Sequence, residues 1–167
     1  FGHNRLSIID LHKRSHQPMI SQNQRYIISF NGEIYNFNQL AALFLPKLKT
    51  LSDTEVLLEM ISKLGILKTL DKIEGMYAFS VYDRIKKKIY LVRDRVGIKP
   101  LYWTYQNDKF AFSSDLNALK SVKGIKLNVD RNSVCTFFRY NYIPAPHSIY
   151  KKVQKLEHGS FLEFSLK

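Results

Sequence analysis

The chain is 167 residues long, 45% hydrophobic and 13% aromatic, which suits one packed domain and excludes a disordered chain. No apolar run is long enough to span a bilayer, so no membrane partner is expected, and the single cysteine excludes an internal disulfide and fits a reducing, cytoplasmic setting. A net charge of +12 admits an acidic or nucleic-acid partner, but the lysines are scattered through turns and helix faces without an aromatic-interleaved basic stripe. They read as a solvated surface, and no nucleic-acid partner is expected.

Residues 1–10 read as the end of a strand or a loop, and 11–24, with Pro18, as a connecting loop. The apolar run at 25–30 predicts a strand. Asn31-Gly32 behind it is a turn signal, because both residues tolerate positive φ. Asn36 offers a side-chain oxygen as N-cap for a helix over 37–45 on Phe37, Leu40, Leu43 and Phe44, stopped by Pro46. Ser52 and Glu55 have the spacing of a capping box. Val56, Leu57, Met60, Ile61 and Leu64 then keep helical spacing up to Gly65, where the helix is expected to end. A shorter helix follows over 66–73.

From Gly75 the period changes. Aromatic and β-branched runs at 76–82 and 88–92 predict a hairpin, and runs at 101–105 and 109–113 a second one across Gln106-Asn107-Asp108. A short helix is expected at 115–122 and another from Asp130 to Tyr140. Cys135 falls within that helix and reads as a buried core cysteine. Ile143-Pro144-Ala145-Pro146 is an extended linker, and 159–164 a last strand. Antiparallel hairpins covered by helices make the class α+β.

The strand end at 31–36 sets a carboxamide, a bare glycine backbone and a carboxylate side by side, a set suited to a small polar ligand and an oxyanion. Four further words surround it in order: Arg5-Leu6-Ser7-Ile8-Ile9-Asp10, His16-Gln17-Pro18-Met19, Ser52-Asp53-Thr54-Glu55, and Arg93-Asp94-Arg95-Val96-Gly97-Ile98-Lys99-Pro100-Leu101-Tyr102. With Asn31-Gly32-Glu33-Ile34-Tyr35-Asn36 they resemble the glutamine-hydrolysing domain of the asparagine synthetase B family, a class II glutamine amidotransferase. The resemblance runs nearly from Phe1 to Lys167.

It implies an Ntn-hydrolase-like, four-layer αββα sandwich of two antiparallel sheets, with residues 1–167 as one partial domain truncated at its N-terminus. The implied reaction hydrolyses L-glutamine to glutamate and ammonia, which a synthetase domain uses for ATP-dependent amidation of aspartate. Family members attack with an N-terminal cysteine whose own α-amine is the base. That residue is expected before Phe1, so residues 1–167 alone should not hydrolyse glutamine. Cys135 cannot supply a chain-terminal amine.

For the pocket, the resemblance assigns Arg5 to the substrate carboxylate and Asp53 with Glu33 to its ammonium. It assigns the Asn31 side chain and Gly32 N–H to the oxyanion hole, and the backbone of Leu6, Ser7, Ile8 and Ile9 to framing the ligand. Plainer roles stay open: Arg5 paired with Asp10, Asp53 as a charge favoured at a helix N-terminus, Glu33 as a surface carboxylate. Arg93, Asp94 and Arg95 read as structural ion pairs bracing a strand end. His3 and His16 have no partner at metal-ligand spacing, so no metal is expected. Leu51 stands where some relatives have glycine. No cofactor is expected here, since ATP and Mg belong to the synthetase half. The expected partners are L-glutamine and that synthetase domain, with a homodimer open for the full-length protein.

Two alternatives stand beside this reading: an amidotransferase acting on another acid or a sugar acceptor, and a non-catalytic glutamine-binding or interaction module. If strands precede Phe1, the chain alone should bare Phe30, Tyr77, Phe79 and Leu91 and self-associate.

Overall fold

The computed structural model describes residues 2–3, 16–45, 47–50 and 52–166. The chain divides into two units, Phe1–Val92 with Leu162–Lys167, and Arg93–Phe161. Each carries one β-sheet with helices, so the class is α+β.

The first unit holds a five-stranded sheet in the order β1-β2-β3-β4-β8: β1 Met19–Ile20, β2 Tyr26–Ile34, β3 Gly75–Asp83, β4 Lys88–Arg93 and β8 Phe161–Ser165. Between β2 and β3 run α1 Phe37–Phe44, α2 Asp53–Leu64 and α3 Ile66–Leu70. Alternation puts Tyr26, Ile28 and Phe30 on one face of β2, and Tyr77, Phe79 and Val81 on the matching face of β3. Against that face α2 packs Val56, Leu57, Met60 and Ile61. Each such side chain, fully buried, contributes about 1.5–3 kcal/mol.

Several expectations change here. β2 does not end at Phe30. It pairs antiparallel with β3 without a break from Tyr26↔Asp83 to Ile34↔Gly75, so Asn31 and Gly32 lie inside a strand, opposite Ala78 and Tyr77. The glycine marks close approach of two backbones and not a turn. A Cβ on Gly32 would sit 2.1 Å from the Met76 carbonyl oxygen, and one on Gly75 would sit 2.1 Å from that of Glu33. Asn36 precedes α1 but makes no cap bond. Its amide donates to the Lys72 carbonyl (2.8 Å) and its oxygen accepts from Glu74 N–H (3.1 Å), tying down the chain that leads into β3. β1 forms inside a stretch read as loop, because Met19 and Ile20 pair with Ile28 and Ile27 on the free side of β2.

Phe30, Tyr77, Phe79 and Leu91 are 4%, 4%, 1% and 0% exposed, so the expected baring of these residues is corrected. The reason for the first three is the helical layer: α1 to α3 fall on the same side of the sheet as their side chains.

The second unit holds a three-stranded sheet in the order β6-β5-β7, from β5 Tyr102–Gln106, β6 Lys109–Ser113 and β7 Val153–Lys155. Asn107 and Asp108 both take positive φ, 51° and 55°, which is the geometry of a two-residue hairpin turn. The sheet shares a small core of Ala111, Leu119 and Val153 with α4 Leu116–Leu119. In α5 Arg131–Tyr140, Ser133 is buried, whereas Phe137, Phe138 and Tyr140 are exposed. Cys135 is exposed too, so its reading as a core residue is corrected: it lies off the buried side of its helix.

Candidate functional site

The site is built where β2 meets the start of α2. Ser52 caps that helix by accepting from Thr54 N–H (3.2 Å), and Asp53 is its first residue. Chain direction then turns the Asp53 side chain back to β2, where one carboxylate oxygen accepts from Ile34 N–H at 3.1 Å. This bond brings Asp53 against the run Asn31-Gly32-Glu33. Asn31 and Gly32 are half-buried, Glu33 is exposed, and Asp53 is only 6% exposed.

Burial pushes the Asp53 carboxyl above the ordinary carboxylate range, against the N–H groups of Ile34 and Thr54, which favour its charge; the nearby Glu33 carboxylate adds to the rise. A carboxylate so placed gains from a cation that arrives beside it. The strand supplies the complementary groups: a carboxamide at Asn31, and at Gly32 a backbone free of any side chain.

Two neighbours hold this junction: Gln17, which had no role in the sequence reading, and Glu55, which was expected to complete a capping box. The Gln17 oxygen accepts from Phe30 N–H (2.5 Å), and its nitrogen donates to Thr54 Oγ1 (3.4 Å), linking β2 to α2. Glu55 does not reach back to the cap residue as a capping box requires. Its carboxylate accepts instead from the N–H groups of Lys49 (2.9 Å) and Thr50 (2.6 Å). Gln17 sat within a quoted motif, which was the one available signal. Glu55 looked like a cap because spacing alone does not show where a side chain turns.

Arg5, Leu6, Ser7, Ile8 and Ile9 lie outside the described residues, as does Leu51. His16 is exposed. Among the described residues no group of three or more His, Cys, Asp or Glu is placed to hold a metal, and no helix is long and apolar enough to cross a membrane.

The signature word at 93–102 belongs to the second unit and braces through backbone. The Arg93 guanidinium donates to the carbonyls of Lys99 (2.8 Å), Leu156 (2.7 Å) and Gly97 (2.8 Å). The Asp94 carboxylate accepts from Val96, Ile98 and Lys99 N–H at 3.2, 2.9 and 2.9 Å. These bonds to main chain brace the loop, whose peptide groups would otherwise go unpaired.

A model of the glutamine amidotransferase domain family matches residues 1–167. The chain belongs to that family. A Methanocaldococcus jannaschii protein, provisionally named glutamine-hydrolysing asparagine synthetase 2, is 38% identical over 99% of this chain and 35% of its own length. Glutamine-hydrolysing asparagine synthetase 1 of Bacillus subtilis is 35% identical, over 96% of this chain and 25% of its own. The chain thus spans about a quarter to a third of the length of these relatives.

Among solved structures, the Bacillus subtilis glutamine phosphoribosylpyrophosphate amidotransferase, complexed with ADP and GMP, superposes with a TM-score of 0.56 at 26% identity. It covers 68% of this chain and 28% of that one. A second structure, described as the allosteric regulatory enzyme of purine biosynthesis, gives 0.61 over 91% of this chain and 30% of that one; at 22% identity this speaks for the fold alone. The amidotransferase domain therefore has the Ntn-type α+β fold that its motifs imply.

Proposed function

We propose that residues 1–167 are the glutaminase domain of an asparagine synthetase. It binds L-glutamine and delivers its amide nitrogen as ammonia to a synthetase domain that amidates aspartate in the cytoplasm. The single observation that carries the reading is the buried Asp53 carboxylate, tied to Ile34 N–H directly beyond Asn31-Gly32-Glu33. One carboxylate for an ammonium thus lies beside two donors suited to an oxyanion.

In this reading Arg5 grips the α-carboxylate with two parallel hydrogen bonds. Asp53, with Glu33, accepts from the α-ammonium, and the backbone of Leu6, Ser7, Ile8 and Ile9 frames the ligand. As a thiolate adds to the amide carbon, the carbonyl oxygen gains charge, and the Asn31 carboxamide and Gly32 N–H stabilise it. The intermediate then collapses as the proton the base took from the thiol passes to the leaving nitrogen, which departs as ammonia and leaves a thioester that water hydrolyses to glutamate.

The thiolate is not that of Cys135, which stands mid-helix on an exposed face of α5 with no α-amine of its own. A polypeptide of residues 1–167 alone is expected to release no ammonia from glutamine above a blank. Ammonia release that Cys135→Ala abolishes would overturn this assignment of the nucleophile.

The roles in binding and catalysis separate in the full-length natural protein. Asn31→Ala should lower kcat on the order of 100-fold, about 3 kcal/mol, with KM little moved, because an oxyanion donor acts mainly in the transition state. Arg5→Ala should chiefly raise KM. Steady-state glutaminase kinetics showing equal KM effects and an intact kcat for both variants would reject these roles.

A further inference from the structure

Glu55 is 4% exposed, and among the described residues its carboxylate takes hydrogen bonds from the chain that leads into α2 and, at 3.5 Å, from the Gln22 amide. One oxygen accepts from Lys49 N–H at 2.9 Å. The other accepts from Lys49 N–H at 3.1 Å, Thr50 N–H at 2.6 Å and Thr50 Oγ1 at 2.7 Å. The Thr50 hydroxyl, having donated to Glu55, accepts from Ser52 N–H at 3.2 Å. Ser52 Oγ in turn accepts from Thr54 N–H at 3.2 Å. A relay of hydrogen bonds thus runs from Glu55 through Thr50 and Ser52 to Thr54, and Asp53 stands inside it.

A carboxylate is the one side chain that fits, since it accepts several bonds at once and brings no donor of its own. A buried acceptor of this kind costs much to leave unmatched, so the entry to α2 is held in one geometry. We propose that Glu55 is a positioning residue for recognition of the substrate's α-ammonium: through Thr50 and Ser52 it fixes where the Asp53 carboxylate stands beside Asn31-Gly32-Glu33. The proposal rests on Asp53 as the ammonium's acceptor. Glu55 itself touches no substrate, its oxygens being occupied by Lys49 and Thr50. Displacing a binding group by about an ångström is enough to lose most of its contribution.

The test compares L-glutamate and glutarate, which differ in the α-ammonium, by titration calorimetry on the full-length natural protein. The wild type should prefer glutamate, and Asp53→Asn should abolish the preference. Glu55→Ala should lower the preference ~10-fold, as loss of a charged hydrogen bond does, with glutarate affinity hardly changed. Glu55→Gln should fall between, because it keeps an acceptor for Thr50 but turns an amide N–H₂ toward Lys49 N–H. If Glu55→Ala does not fold, Glu55→Gln and Thr50→Val carry the comparison. Equal weakening of both ligands by the Glu55 variants would show a merely structural role and overturn the proposal. So would an intact preference in those variants when Asp53→Asn removes it. A preference that survives Asp53→Asn would instead overturn the ammonium reading itself, and this proposal with it.

Discussion

Asp53, the proposed acceptor for the substrate's ammonium, is held at a cost to folding. Its folded pKa is raised, first by burial. The group therefore favours folding below its unfolded pKa, where it is neutral in both states, and that advantage is lost as pH rises through the folded value. Asp53→Asn should accordingly melt a few degrees above the wild type at neutral pH. The difference should shrink toward zero as the solution is acidified into the carboxylate range. Asparagine keeps an oxygen for Ile34 N–H, so the helix start is preserved. Thermal melts of the two proteins across pH check this, and a gap that widens on acidification would reject it. The lost ammonium binding described above should accompany the gained stability, as happens where a site is built from groups that burial disfavours.

At the scale of elements, the pairing of β2 with β3 decides where the site's residues lie. Gly32 and Gly75 sit diagonally across that pair, each leaving no space for a Cβ: 2.1 Å to Met76 O in one case and 2.1 Å to Glu33 O in the other. The obstructing atoms are backbone and cannot swing aside. Gly75→Ala should destabilise the protein on the order of 3 kcal/mol, in the upper range for overpacking. It should also weaken glutamine binding, because Glu33 and Ile34 must shift and Ile34 N–H holds Asp53. Denaturant unfolding together with a KM measurement tests both effects, and a change at Gly65 is the control. Gly65 also has positive φ, 84°, but faces open space, so Gly65→Ala should cost less than Gly75→Ala.

At the scale of the whole molecule, Asp83 in the first unit and Asp94 in the second are buried carboxylates depressed by their surroundings. In the first unit, burial pushes Asp83 up, but the Arg25 guanidinium at 2.7 Å and the N–H groups of Lys86 and Ile85 outweigh it and hold the carboxyl low. In the second, burial is outweighed at Asp94 by the N–H groups of Lys99, Ile98, Gly97 and Val96. Both folded values lie below the unfolded one. Their stabilisation is thus complete above the unfolded carboxylate pKa, near ~3.9, and is lost as pH falls through the folded values. Both units should lose stability in acid below about pH 4. Asp83→Asn and Asp94→Asn should each flatten the acid limb of the stability curve, measured by denaturant unfolding at stepped pH. A steepness unchanged by either substitution would discount these two groups.

The sequence by itself determined the class, the strands from 75 onward except β7, and the helix behind Ser52, and it nominated the candidate residues Asn31, Gly32, Glu33 and Asp53. These are local matters: a period of two or 3.6, a cap, and a set of words in order. It misread Asn31-Gly32 as a turn, because an isolated glycine announces unusual backbone without saying whether the chain reverses or another strand comes near. Only the partner strand, with Gly75 opposite Ile34, settled that. It assigned Asn36 and Glu55 to helix caps, because spacing gives reach and not choice; the acceptors and donors they found lie at 72–74 and 49–50. It placed Cys135 in the core, since a helical pattern shows that one face is apolar but not whether anything covers it. Tertiary structure alone turned Asp53 toward Ile34 N–H, a bond across nineteen residues. Burial there, which no local pattern encodes, gives that carboxylate its raised pKa.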